Sequence, residues 1–264
     1  MSDRSNFAGS ERQNRKKFFT ALVIKAVKSK VITLKMKISF ILVEPKVPEN
    51  IGASARAIKT MGFDSFILVN PCEYREGKSR RVAHASEDIL DNALVFNSLS
   101  QALEGFGLAV ATSIRPRRVR EDVVNAKDLP DFMLAKSASV VNAAIVFGRE
   151  ESGLNNDEIK LCDIVSAIPM RNAGYPSLNL SHAVMVYAYL LSGLSGKTEK
   201  SVKISSAENN SFLAMKKKAG RILLKLGLEE TDMRYGRIME RLSFLLDVDI
   251  NLVHTLCDLI DEKL

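Results

Sequence analysis

Ile38-Ser-Phe-Ile-Leu-Val43, Ala53-Ser-Ala-Arg-Ala-Ile-Lys-Thr-Met61 and Phe66-Ile-Leu-Val69 follow one another near the start of the chain, and their order decides the fold. The first is an almost continuous apolar run of strand length, the pattern of a strand covered on both faces of a parallel sheet. The second is a helical run that Gly62 ends. The third is again a short apolar run. Strand, helix and strand form a βαβ unit whose connection is expected to be right-handed. The intervening Glu44-Pro-Lys-Val-Pro-Glu-Asn-Ile-Gly52 is rich in breakers and reads as loop.

The same alternation continues downstream. Leu108–Thr112, Ala143–Phe147 and Ile164–Ile168 read as further strands. Asp88–Ala93, Leu99–Phe106, Asn156–Cys162 and Leu178–Leu191 read as helices. A three-layer α/β domain with a mostly parallel sheet is the expected architecture, spanning residues 36–192. Residues 193–210 are polar and without period, as in a linker. From 211 to 264, Phe212, Met215, Ala219, Ile222, Leu223 and Leu226 recur at helical spacing. Leu242, Leu245 and Leu246 mark a second helix; Leu252, Val253, Leu256, Leu259 and Ile260 mark a third, with Asp249 or Asn251 as its cap. Such a short all-α extension buries only a thin core, so it is expected to pack on something else.

Hydrophobic content of 46% and charged content of 26% over 264 residues describe an ordinary globular protein. The net charge of +7 favours an anionic partner, nucleic acid being the commonest. Cys72, Cys162 and Cys257 are odd in number and far apart, and His84, His182 and His254 are scattered. No disulfide framework or metal site is expected, and a reducing cytoplasm is the expected setting. Residues 1–35 are basic, and their Phe18–Ile24 run is too short and too interrupted by lysine for a membrane span or an export signal. They read as an appendage, with Met36 as the natural first residue.

Three polar clusters then stand out, each just after an expected strand. Asn50-Ile-Gly52 with Arg56 follows the first; Phe147-Gly-Arg-Glu150 with Gly153-Leu154 follows the fourth; Ile168-Pro-Met170 with Ser177-Leu-Asn179-Leu180 follows the fifth. Open α/β sheets place their ligand sites at the carboxyl ends of their strands. Each cluster alone has a plain structural reading. Gly52 and Ala53 permit close helix packing, Arg149 and Glu150 form a surface pair, and Asn179 caps a helix. All three together are hard to assign to packing. Gly196-Lys-Thr198 is no phosphate-binding loop, since a helix precedes it, and no G-x-G-x-x-G follows a strand.

In that order, N-x-G-x-x-x-R, F-G-x-E-x-x-G-L and I-P-M…S-L-N-L resemble the three motifs of the SpoU branch of the SPOUT family, over about Lys37 to Ser192. Leu42-Val-Glu-Pro…Pro-Glu-Asn-Ile-Gly…Arg-Ala-Ile-Lys-Thr-Met-Gly-Phe63 and the helical extension look most like its TrmJ-type tRNA (cytidine/uridine-2′-O-)-methyltransferases. The resemblance implies AdoMet-dependent methylation of a ribose 2′-hydroxyl in tRNA, at nucleotide 32 of the anticodon loop. It also implies a deep trefoil knot in the C-terminal half of the sheet domain, and a homodimer with its active site at the interface. An rRNA methyltransferase of the same family, or an RNA-binding relative without catalysis, are the alternatives. No membrane partner is expected.

The resemblance assigns catalysis to Arg56, Asn50, Glu150, Ser177 and Asn179. Arginine keeps its charge in proteins, which makes Arg56 a better stabiliser of a developing alkoxide than a base. AdoMet is assigned to Thr112, Ser113, Ile114, Gly148, Ile168, Met170, Pro176, Ser177 and Leu178. The arginine-dense loop with Arg115, Arg117, Arg118 and Arg120, and the helix face with Lys216, Lys217, Lys218 and Arg221, are the candidate RNA contacts.

Overall fold

The computed structural model describes residues 36–113, 122–170, 178–194 and 210–264. Its strands are β1 (Lys37–Val43), β2 (Ser65–Val69), β3 (Leu94–Phe96), β4 (Leu108–Thr112), β5 (Val123–Asn125), β6 (Asn142–Phe147) and β7 (Ile164–Ala167). They form one sheet in the order β3-β2-β1-β6-β4-β7-β5, every pair parallel. The helices are α1 (Pro48–Thr60), α2 (Lys78–Ala83), α3 (Glu87–Asp91), α4 (Leu99–Ala102), α5 (Leu129–Leu134), α6 (Asn156–Leu161) and α7 (Leu180–Ser192). The C-terminal extension adds α8 (Ser211–Lys225), α9 (Met233–Leu242) and α10 (Asp247–Asp261). Among the described residues no helix is long and apolar enough to cross a membrane.

The pleat sends alternate side chains to opposite faces, and both faces are covered. Phe40, Leu42, Leu68, Ile145 and Phe147 join Ile51, Ile58, Val184 and Tyr187 of α1 and α7 in the larger core. Ile41, Val43, Ile67, Ala111 and Val146 join Leu99, Leu154 and Ile159 on the other face. This two-sided burial is why the strands read as unbroken apolar runs. Phe147 stacks edge-on against Tyr187 at 5.6 Å between centroids. The Tyr187 hydroxyl donates to Ser166 Oγ at 3.1 Å, tying α7 to β7. Burial pushes that phenol up to about 12, so it stays protonated.

Several boundaries differ from the sequence expectation. α1 starts at Pro48, five residues before the apolar run, because proline fits the first turn of a helix, where its missing N–H has no partner to lose. Asn50 therefore sits inside a helix, where a loop was expected. α4 stops at Ala102, and Gly105 at φ 83° closes the turn beyond it. β7 ends at Ala167, leaving Ile168 in the loop. Leu242 ends α9, whereas Leu245 and Leu246 lie beyond it. Neither Asp249 nor Asn251 caps α10, whose N-cap residue is Leu246 with no side-chain bond. β3 and β5 were missed; three-residue edge strands are too short to show a period.

The extension packs on the sheet domain through polar as well as apolar contacts. Phe212 is fully buried in the main core. Lys216 Nζ pairs with Asp163 at 2.6 Å, and Asp247 accepts from the Ala138 N–H at 3.1 Å. Lys136 is fully buried beneath it, donating to the Leu245 carbonyl and lying 4.1 Å from the Phe212 ring centroid. Burial pulls its ammonium down to about 8, against the opposing pull of Asp163 and Asp247. Below that pH the buried lysine carries a charge that disfavours the fold by about 3 kcal/mol. As pH rises from about 8 towards the ordinary lysine value of 10.5, the folded state holds fewer protons than the unfolded state, and stability rises. Denaturant unfolding between pH 7 and 10 should therefore show this rise, and Lys136→Met should flatten it.

Candidate active site at the carboxyl ends of the strands

β1 turns one way to β2 and β3, while β6, β4, β7 and β5 lie on its other side, so the strand order reverses at the β1–β6 boundary. Such sheets place their ligands beyond the strand ends at a reversal of this kind. Leu42 pairs with Phe147, so Glu44 and Gly148–Glu150 emerge side by side there.

Arg149 locks this corner. Its Nε donates to Glu44 Oε2 at 2.9 Å, and its two terminal nitrogens bind Glu158 at 3.0 and 2.9 Å. Glu158, in turn, closes a capping box with Asn155 at the start of α6. Arg149 is only 16% exposed, so it is a clamp and not the surface pair that one plain reading allowed. The two carboxylates raise its already high pKa, Glu158 more than Glu44. The Arg149 and Gly153 backbones bridge each other, and a Cβ on Gly148 would overlap the Gly153 and Leu154 backbone. Only glycine fits there. Gly52 is similarly confined, because a Cβ would strike the Ser79 carbonyl of α2. The close-packing reading holds for that residue.

One hydrogen-bonded chain then joins residues from all three motifs. Glu150 accepts from the Lys46 and Val47 N–H groups at 3.1 and 3.2 Å, and from Asn50 Nδ2 at 3.0 Å. Asn50 Oδ1 accepts from Asn179 Nδ2 at 2.9 Å. Asn179 Oδ1 accepts from the Ser181 N–H at 2.9 Å and its hydroxyl at 2.7 Å. Asn179 thus caps a helix and joins this hydrogen-bonded chain at once. The chain forms because α1 packs against α7 with Asn50 in the first turn of one and Asn179 at the N-cap of the other. Burial raises the Glu150 pKa, but donation from Asn50 and from the Lys46 and Val47 backbones outweighs it and leaves the value lowered. Glu150 is therefore an ionised acceptor at neutral pH.

Glu150→Gln places an amide donor among those donors, and should lower stability at pH 7 by about 1–2 kcal/mol. The native contribution is present above the ordinary carboxylate value and is lost as pH falls through the lowered one. Urea melts of both proteins from pH 3 to 7 should show the wild type converging on the variant in acid.

Arg56 is exposed, and among the described residues no carboxylate lies within ion-pair distance of it. Six residues after Asn50 on α1, it leaves the helix about 120° away and is not hydrogen-bonded to the chain. β4 lies between β6 and β7, with Ala111 opposite Val146 and Thr112 opposite Ser166. Ser113, Gly148 and Ile168 therefore leave adjacent strands at one level. Thr112 Oγ1 donates to the Val146 carbonyl at 2.9 Å, and the Ser113 N–H donates to the Ser166 carbonyl at 3.0 Å. Ile168, Met170 and Leu178 are half-buried. Ser177, Ile114 and Pro176 lie outside the described residues, as do Arg115, Arg117, Arg118 and Arg120.

On α8, Lys216 faces Asp163, Lys218 pairs with Asp258, and Arg221 lies 3.7 Å from Asp261. Lys217 is exposed. The row expected to face RNA therefore divides, with two lysines turned to carboxylates of the protein itself. Sequence reasoning missed Arg149, Glu44 and Glu158 as parts of the site. The Asn155…Glu158 capping-box spacing was the available signal for the last.

Residues 37–189 match the family described as the SpoU rRNA Methylase family. Residues 209–264 match the family described as tRNA/rRNA methyltransferase LasT, C-terminal domain. An uncharacterized tRNA/rRNA methyltransferase LasT of Escherichia coli (strain K12) is 38% identical over 87% of this chain and 99% of its own. The tRNA (cytidine/uridine-2′-O-)-methyltransferase TrmJ of Pectobacterium atrosepticum is 40% identical over 58% of this chain, and the match spans 62% of that relative. Among solved structures, a probable methylase family protein from Haemophilus influenzae Rd KW20 has 28% identity and a TM-score of 0.56, covering 88% of this chain and 98% of its own. TrmJ from Z. mobilis ZM4 has 25% identity and a TM-score of 0.61, covering 84% and 98%. The three motifs and the helical extension are those of a methyltransferase, and the chain belongs to the SpoU methylase family.

Proposed function

We propose that this enzyme transfers a methyl group from AdoMet to a ribose 2′-hydroxyl of tRNA, at nucleotide 32 of the anticodon loop. The observation that carries the reading is the hydrogen-bonded chain Ser181–Asn179–Asn50–Glu150, which joins residues of all three motifs. The names of the TrmJ and LasT relatives support the RNA substrate.

The residues at the ends of β4, β6 and β7 fit AdoMet. Thr112, Ser113, Gly148, Ile168, Met170 and Leu178 are small or apolar and uncharged, which suits an adenine and a sulfonium held through backbone groups. When bound, AdoMet supplies a methyl already activated for transfer. What remains for the protein is alignment and charge stabilisation. The chain from Glu150 to Asn179 is oriented before substrate arrives, so its outer amide and hydroxyl groups can hold the ribose without rearranging. Glu150, ionised and fully engaged, orients Asn50 rather than taking the proton. Arg56, with no carboxylate partner among the described residues, is left to grip the adjacent phosphate and offset charge developing on the 2′-oxygen. Ser177 joins the ribose side in this reading.

A trefoil knot, implied by the family resemblance, belongs to the same proposal. So do a domain division into 36–192 and 211–264 about a linker, a homodimer with a shared active site, and a cytoplasmic location. An rRNA target is the second reading, favoured by the description of the matched family. Incubating the protein with labelled AdoMet and either bulk tRNA or rRNA from a strain lacking it separates the two. Label in tRNA supports the first reading, label in rRNA alone the second, and label in neither rejects both.

A further inference from the structure

We propose that an open hollow near Glu150, lined by Asn70, Cys72, Tyr74, Arg75, Val95 and Asn97, receives the base of a nucleotide neighbouring the methylated one. The proposal rests on the reading that the protein methylates RNA. The cavity measures about 340 Å³, room for one small ring system and not for a duplex. It lies at the carboxyl ends of β2 and β3. The Cys72 N–H donates to the Pro45 carbonyl at 3.1 Å, and the next two residues, Lys46 and Val47, donate to Glu150. One loop thus supports the wall of this hollow and cradles Glu150.

The lining chemistry selects a base over other occupants. Tyr74 is buried at 4% exposure, and the exposed Arg75 guanidinium lies over its ring at 5.9 Å, so the flat surface turned outward is that of the guanidinium. Unstacked bases lie on such planes. Asn70 holds a left-handed backbone at φ 43°, and its Nδ2 donates to the Asn97 carbonyl at 2.8 Å. That bond pins Asn97, whose exposed amide carries the donor and acceptor needed to read a base edge. Glu73 also lines the cavity and offsets Arg75, so a free phosphate gains little there, whereas a neutral polar ring is welcome.

The test uses the full chain and an anticodon stem-loop RNA, intact or abasic at either neighbour of the methylated nucleotide. Asn97→Ala and the cavity-filling Val95→Trp should each raise KM for RNA about tenfold, with kcat and AdoMet affinity unchanged. Both positions are exposed, and Asn97→Ala removes nothing from the core, so a folding defect is separable by thermal melting. An abasic residue on one side should impose the same loss on the wild type. Combining Asn97→Ala with that abasic RNA should be no worse than either change alone. Losses that multiply, or a KM indifferent to both changes, overturn the base site alone. If the wild type methylates no RNA, the parent reading falls and this site with it.

Discussion

Arg56→Ala is expected to lower kcat for methyl transfer by about 10²–10³-fold with the fold intact, the loss typical of removing one preorganised stabiliser of developing charge. The side chain is exposed and has no carboxylate partner among the described residues, so its removal strands no buried group. Melting temperature and AdoMet affinity should hold while single-turnover methylation slows. Arg56→Lys should recover only part of the rate, because an ammonium cannot grip a phosphate bidentately. Full activity in Arg56→Ala would remove Arg56 from the mechanism and leave the charge-stabilising role without an owner.

Gly148→Ala acts through the opposite route. A Cβ there overlaps backbone atoms of Gly153 and Leu154, not the yielding end of a side chain. Relief requires opening the Arg149–Gly153 bridge, which shifts the Arg149 clamp and displaces Glu150 from the Lys46 and Val47 amides. A destabilisation of roughly 3 kcal/mol or more is expected, with loss of activity at any temperature where the protein remains folded. Guanidinium unfolding measures the first, and a methylation assay on the folded fraction measures the second. A variant as stable as the wild type would mean that the 148–154 loop is far more pliant than its packing implies.

These two residues also mark how far the sequence could be read. Strands such as Ile38–Val43 and Ala143–Phe147 were legible because both faces of the sheet are covered, which leaves continuous apolar runs. The three motif clusters were legible as residues, and Asn50, Glu150 and Asn179 do meet in space. Their connectivity was not. That Asn179 caps α7 and also reaches Asn50 depends on how α1 packs against α7, which no local pattern encodes. The beginning of α1 was hidden by Pro48, which reads as a breaker but serves as a first-turn residue. Lys216 and Lys218 read as cations available to RNA because their partners, Asp163 and Asp258, are remote in sequence. Lys136, isolated in the sequence, gave no sign that it would be buried beneath the C-terminal helices.

Digesting tRNA methylated by the purified protein to nucleosides and fragments, and mapping the methyl by mass spectrometry, decides whether the proposed acceptor is a ribose hydroxyl in tRNA. The account predicts a 2′-O-methylated nucleoside at nucleotide 32 of the anticodon loop. A methyl on a base, or no methylated tRNA, would contradict it.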